Sequence, residues 1–179
     1  MHLAAIVNPV LDAWNRADDV SARTAMLACC GAKRWADAMA ASRPIVTIAE
    51  LSETADRIWA TMDEPDWLEA FTCHPRIGER KAAHATAQSA AQSAEWSGQE
   101  QSSTTTASDR TVADLADGNT RYEQSFGFTY IVCATGKSAD EMLAILQRRL
   151  GSDRHTELRE AAEQQRQIMQ IRLGKWLTQ

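Results

Sequence analysis

At 179 residues, with 44% hydrophobic and 24% charged residues, the chain is long enough for one domain with a sizeable core and has an ordinary globular composition. A net charge of -5 and the lack of any Lys or Arg run argue against a nucleic-acid surface, and no apolar run approaches membrane-spanning length. Only four prolines and eight glycines, against much Ala, Leu, Glu, Gln and Arg, favour helix over sheet.

Residues 1–42 read as helical segments with Ala, Leu, Met and Trp spaced at three and four, placing Trp14, Met26, Leu27, Trp35 and Met39 in the core. Arg43-Pro44 ends this part. Thr47-Ile48-Ala49-Glu50 has the capping-box pattern and opens a helix with Ile48, Leu51, Ala55, Ile58, Trp59 and Met62 on one face. After a turn at Asp63-Glu64-Pro65, an amphipathic run reaches Phe71 and breaks at His74-Pro75-Arg76-Ile77-Gly78-Glu79-Arg80. Pro75 pushes His74 out of helical geometry, and Gly78 permits a backbone conformation closed to other residues. Local sequence alone allows two readings: a helix-ending turn in which His74 caps carbonyls, or an imidazole held rigidly at the edge of a cleft.

From Lys81 to Glu95 the sequence is Ala, Gln and Ser with little periodicity, either a surface loop or a helix too polar to pack well. Ser97-Gly98-Gln99-Glu100 then has the Ser-to-Glu spacing of a capping box, a structural device that requires no chemistry. Asp109 is expected to cap a helix carrying Val112, Leu115, Ala116, Asn119, Tyr122 and Phe126. Phe126 to Ala134 is short, aromatic and β-branched. With no partner strand in sight, it reads as a buried extended connection whose backbone polar groups need partners. Ser138-Ala139-Asp140-Glu141 opens a further helix with Met142, Leu143, Leu146 and Leu150 inward, stopped at Gly151.

The last helix, from about Asp153, carries its clearest signal in one stripe: Leu158, Ala161, Ala162, Gln165, Ile168, Met169, Leu173 and Trp176. Arg172 falls inside that stripe. A guanidinium turned toward a core keeps its charge and needs an anion, either a buried protein carboxylate or the carboxylate of a ligand.

The four histidines, His2, His74, His84 and His155, have no metal-ligand spacing, and there is no phosphate-binding loop or nucleophile elbow. Cys29, Cys30, Cys73 and Cys133 form no C-x-x-C pair, and no signal peptide stands at the amino end. Reduced, mostly buried thiols in a cytoplasmic protein are therefore expected. No internal repeat appears, so residues 1–179 are expected to form one compact multi-helix domain.

Those same residues carry a resemblance. His74-Pro75-Arg76-Ile77-Gly78, Ser97-x-x-Glu100-Gln101, Tyr122-Glu123-x-x-Phe126-Gly127-Phe128 and Ile171-Arg172-Leu173, in that order, resemble the OHCU decarboxylase family. Trp35-Ala36, Arg43-Pro44 and Trp67-Leu68-Glu69-Ala70-Phe71 extend the likeness over nearly the whole chain. The stretch from Lys81 to Glu95 departs from it by being longer than usual between the two catalytic motifs. The resemblance implies an all-α, commonly dimeric enzyme that uses no metal or organic cofactor. The reaction it implies converts 2-oxo-4-hydroxy-4-carboxy-5-ureidoimidazoline to (S)-allantoin and carbon dioxide, with stereospecific protonation after carbon dioxide leaves. Carried over residue by residue, it makes His74 and Glu100 catalytic. Pro75, Ser97, Gln101 and Arg172 fall on substrate-binding positions, and Phe128, Ile131 and Val132 lie in a segment that gives backbone contacts. With an ordinary value near 6.5, His74 is then expected to act as general acid or base.

Two other classes compete with this expectation. A small helical interaction module would leave His74, Glu100 and Arg172 apart. A related cofactorless lyase or hydratase acting on a different ureide would keep the pocket and change the groups around the ureido arm.

Overall fold

Helix starts in this protein are set by short polar side chains. Asn8, Asp18, Thr47, Ser108, Ser138 and Asp153 each accept a hydrogen bond from a backbone N–H of the turn that follows. They satisfy donors that a helix cannot satisfy by itself. A computed structural model describes residues 8–79 and 88–179, with no strand among them. The elements are α1 (Pro9–Arg16), α2 (Asp19–Cys29), α3 (Lys33–Ala41), α4 (Ile48–Trp59), α5 (Glu64–Phe71), α6 (Gln88–Glu100), a 3-10 turn (Ser102–Thr106), α7 (Asp109–Phe126), α8 (Ala139–Arg149) and α9 (Arg154–Trp176).

The long α9 is the central element, packing against α2, α4, α5 and α7, while α2 also meets α3 and α6. Every member of its expected apolar stripe is buried, Gln165 and Arg172 included. Tryptophans tie the layers together: the indole N–H groups of Trp14, Trp35 and Trp59 donate to carbonyls of Ala22, Ala55 and Ala162 on neighbouring helices, at 2.9, 3.1 and 3.2 Å. Matching the donor in this way offsets the cost of taking the indole N–H out of water. No helix among the described residues is long and apolar enough to cross a membrane.

Several expectations need correction. Ile48 is 52% exposed, because it is the first residue of α4 and points outward before the buried face begins at Leu51. Val112 is exposed too, and Leu27 only partly buried. The cap of α7 is Ser108, whose hydroxyl accepts from the Thr111 N–H, rather than Asp109. The polar stretch before Trp96 is helical from Gln88 onward, and residues 80–87 lie outside the described part. Ser97 and Glu100 therefore occupy the last turn of α6. Their spacing imitates a cap at the opposite end of a helix.

Residues 127–138 connect α7 to α8, largely buried from Phe128 to Ala134 and starting at Gly127 with φ 80°, the left-handed conformation that ends α7. The polar groups of this connection find side-chain partners. Arg149 Nη1 donates to the Ile131 carbonyl at 2.7 Å, the Cys133 N–H donates to Gln164 Oε1 at 2.9 Å, and Lys137 Nζ donates to the Cys133 carbonyl at 2.7 Å. Arg149 is itself buried, ion-paired with buried Glu157 through Nε at 2.6 Å and lying over the Tyr130 ring at 5.0 Å. The Tyr122 hydroxyl completes this group by donating to Glu157.

Glu157→Ala strands the Arg149 charge in the core, so it should lower unfolding free energy by about 3–5 kcal/mol, measured by urea denaturation. A loss no larger than that of a surface substitution would show that Arg149 does not depend on Glu157.

Candidate active site

The break after α5 is pinned from two other helices. The His74 N–H bonds back to the Phe71 carbonyl at 3.1 Å, and Pro75 then prevents the helix from continuing. Gly78, at φ 88°, turns its N–H onto Gln101 Oε1 at 3.1 Å, just beyond the end of α6. From α7, Asn119 Nδ2 donates to the Ile77 carbonyl at 2.9 Å, and Glu123 takes both Nε and Nη2 of Arg76, at 2.9 and 2.5 Å. Each residue from His74 to Gly78 that has a polar handle is thus held, and Pro75 is stiff by itself.

His74 does not cap its own helix. Its Nε2 lies 2.7 Å from Oε1 of Gln165, on the inward stripe of α9. His74, Pro75, Ser97, Glu100 and Gln101 line one narrow cleft, closed on the far side by Ile131 and Val132. The cleft itself has room for about 10 Å³, enough for one water. Pro75, Ser97 and Gln101 also line a second cavity of about 480 Å³, together with Gly98, Thr104 and Thr105, a volume in the range of small-molecule sites.

Arg172 stands behind this cleft rather than in its wall. It is 1% exposed and grips Glu100 with two parallel bonds, Nε to Oε1 at 3.1 Å and Nη2 to Oε2 at 3.0 Å. Nη2 also donates to the Ser97 hydroxyl at 2.8 Å, and Nη1 to that of Ser93 at 2.9 Å. Lys175, one turn on, reaches Glu100 Oε1 at 3.3 Å. Of the two anions the sequence allowed for Arg172, the structure supplies the protein's own carboxylate. All but one of its N–H groups are engaged, so two parallel bonds to a ligand carboxylate would require Glu100 to let go. What Arg172 does in this geometry is fix the carboxylate and hydroxyl that face the cleft.

The electrostatics of His74 also differ from expectation. Burial first, and the Arg172 cation second, hold its imidazole well below 6.5, down to about 3, against the opposing pull of the Gln165 hydrogen bond. The ring is therefore uncharged near neutral pH, with one N–H and one lone pair.

Phe128, like Arg172, is not among the residues lining the cleft. Its ring packs in the core against Phe71 and Tyr122, at 5.5 and 5.7 Å, and it does not line the cleft. Its neighbours Ile131 and Val132 do, and among the described residues their N–H groups have no protein partner. The sequence left Ser93, Asn119, Arg149, Glu157 and Lys175 without a role, and gave Gln165 none beyond its place on the stripe. Asn119 and Arg149 carried a readable signal, each being polar within an otherwise apolar helical stripe. Ser93 lay in a stretch with no periodicity to read. Cys73, beside His74, is exposed, whereas Cys29, Cys30 and Cys133 are buried, and all four thiols are free.

Comparison with known proteins identifies the family. The profile of the OHCU decarboxylase family matches residues 15–174. The 2-oxo-4-hydroxy-4-carboxy-5-ureidoimidazoline decarboxylase of Haloferax volcanii is 27% identical over 162 residues, covering 90% of this chain and 92% of that protein. The uric acid degradation bifunctional protein TTL of Arabidopsis thaliana is 34% identical over 148 residues, covering 82% of this chain, and the match spans only 44% of the plant protein's length. A crystal structure of OHCU decarboxylase in the presence of (S)-allantoin superposes with a TM-score of 0.74 at 32% identity, covering 91% of this chain and 100% of that one. A crystal structure of (S)-allantoin synthase, 17% identical and with a TM-score of 0.66, shares the fold over 93% of this chain and 53% of that one. The chain belongs to the OHCU decarboxylase family.

Proposed function

We propose that this chain decarboxylates 2-oxo-4-hydroxy-4-carboxy-5-ureidoimidazoline to (S)-allantoin, as a cytoplasmic homodimer whose residues 1–179 act as one unit. The observation that carries the reading is the meeting of His74, Ser97, Glu100 and Gln101 on one cleft in a chain of this family. An interaction module gives no reason for that convergence. Free thiols favour a reducing compartment, and the dimer rests on the family resemblance.

The substrate supplies its own electron sink. When the bond from C4 to the carboxylate breaks, its electron pair forms a double bond to C5, and the electrons of the ring C=N move onto nitrogen, which takes up a proton. The resulting enol gives up its 4-hydroxyl proton and gains one at C5, forming the ring carbonyl and the new stereocentre. His74, on the same cleft as the fixed carboxylate of Glu100, is the group placed to accept the hydroxyl proton. Ser97, Gln101 and the N–H groups of Ile131 and Val132 can hold the ring and ureido amides, with the bulkier arm in the second cavity. Because one face of the enol is turned to the protein, protonation at C5 yields one enantiomer.

His74→Ala should reduce the enzymatic rate by about 100- to 10,000-fold, leaving racemic allantoin from spontaneous decay, as read by circular dichroism of product from freshly generated substrate. Near-normal formation of optically active product would remove His74 from the mechanism.

Arg172→Lys keeps the charge but loses the fork that holds Glu100 and Ser97 together. A kcat loss of about 100-fold is expected from the misplaced groups, with a smaller change in KM. A rise confined to KM would instead assign Arg172 to substrate binding.

Stability should also report the neutral ring. Below its ordinary value of 6.5 the unfolded chain takes up a proton at His74 that the folded chain refuses until about 3. Stability from this group is thus present above that window and is lost as pH falls through it. Denaturation between pH 4 and 7 should show a slope that His74→Gln reduces, and an unchanged slope would contradict the neutral assignment.

A further inference from the structure

A neutral imidazole has one N–H and one bare nitrogen, and whichever partner one nitrogen takes decides the state of the other. The partner here is Gln165, which has no exposed surface and stands one helical heptad before Arg172 on the same stripe of α9. Its Oε1 lies 2.7 Å from His74 Nε2, at the short end of the range for N–H···O bonds, while its own amide nitrogen has no partner among the described residues. We propose that Gln165 is a positioning residue for the reaction: by accepting the Nε2 hydrogen it holds His74 as the Nε2–H tautomer, so that Nδ1 is the bare nitrogen left to take the substrate's hydroxyl proton. The catalytic consequence rests on the decarboxylase reading, whereas the tautomer does not.

The choice of side chain supports this. A buried amide with an unmatched N–H lowers stability, and Leu in its place would extend the stripe of Ala161, Ala162, Ile168 and Met169 without that loss. A carboxylate at this position would also accept the Nε2 hydrogen, but it would favour the imidazolium and so fill the Nδ1 lone pair. An amide fixes the orientation and leaves the ring uncharged. The titratable groups sharing the surroundings of the ring are Arg172 from α9, Glu100 and Tyr130 across the cleft, and Cys73 beside it in the chain. The Arg172 cation acts against a charged ring and outweighs the opposite pull of the Gln165 hydrogen bond.

The test is nitrogen NMR of the His74 ring in the free protein, with activity of Gln165→Leu and Gln165→Glu. Wild type should show a protonated Nε2 and an unprotonated Nδ1 at neutral pH. Gln165→Leu should keep or raise the melting temperature, lose the fixed tautomer and lower kcat by about 10- to 100-fold with little change in KM. Gln165→Glu should keep the Nε2–H but bring the ring's protonation up toward neutral pH, adding a falling acid limb to the pH profile of kcat. A wild-type ring protonated at Nδ1, or a Gln165→Leu variant that melts as wild type and keeps its kcat, would overturn the proposal. If wild type shows the expected tautomer but makes no allantoin, the decarboxylase reading fails while the tautomer assignment stands.

Discussion

A guanidinium buried in an apolar helix stripe cannot shed its charge, so the fold must bring it an anion. In this protein that constraint is met by Arg172 and Glu100, and much of the site follows from it. Satisfying Arg172 draws the end of α6 onto α9, which sets Ser97 and Glu100 at the cleft and leaves Gln101 within reach of Gly78. The same cation helps keep His74 uncharged. One helix face therefore orients the carboxylate through Arg172 and the imidazole through Gln165.

A second buried pair performs the equivalent service for the opposite wall. Arg149 and Glu157 join α8 to α9, and Arg149 also holds the Ile131 carbonyl, fixing an extended segment that has no neighbouring strand to order it. Irregular backbone in a core survives only where its polar groups are matched. Ile131 and Val132 line the cleft, and among the described residues their N–H groups have no protein partner, leaving donors that a ring amide can use.

What could be read from sequence was what depends on local periodicity and local caps. The α9 stripe, the inward Arg172, the Thr47 and Ser138 caps and the buried connection after Gly127 all follow from residues within a few positions of one another. Partners could not be read this way. Nothing local says that Arg149 faces Glu157 or that Gln165 meets His74, 91 residues apart. Ser97 and Glu100 misled for a different reason: Ser-x-x-Glu marks a helix start when it begins one, and the featureless stretch before it concealed that α6 was already under way. The ordinary value of His74 leaves out burial and Arg172, both tertiary facts, and both push the imidazole down. The ring of Phe128 packs against Tyr122 in the aromatic cluster, a tertiary contact that the extended segment alone does not announce.

The most direct test of the account is circular dichroism of allantoin as it forms from freshly generated substrate with and without the wild-type protein. Accumulation of (S)-allantoin faster than spontaneous decay is the predicted result. Racemic product appearing at the spontaneous rate would contradict it.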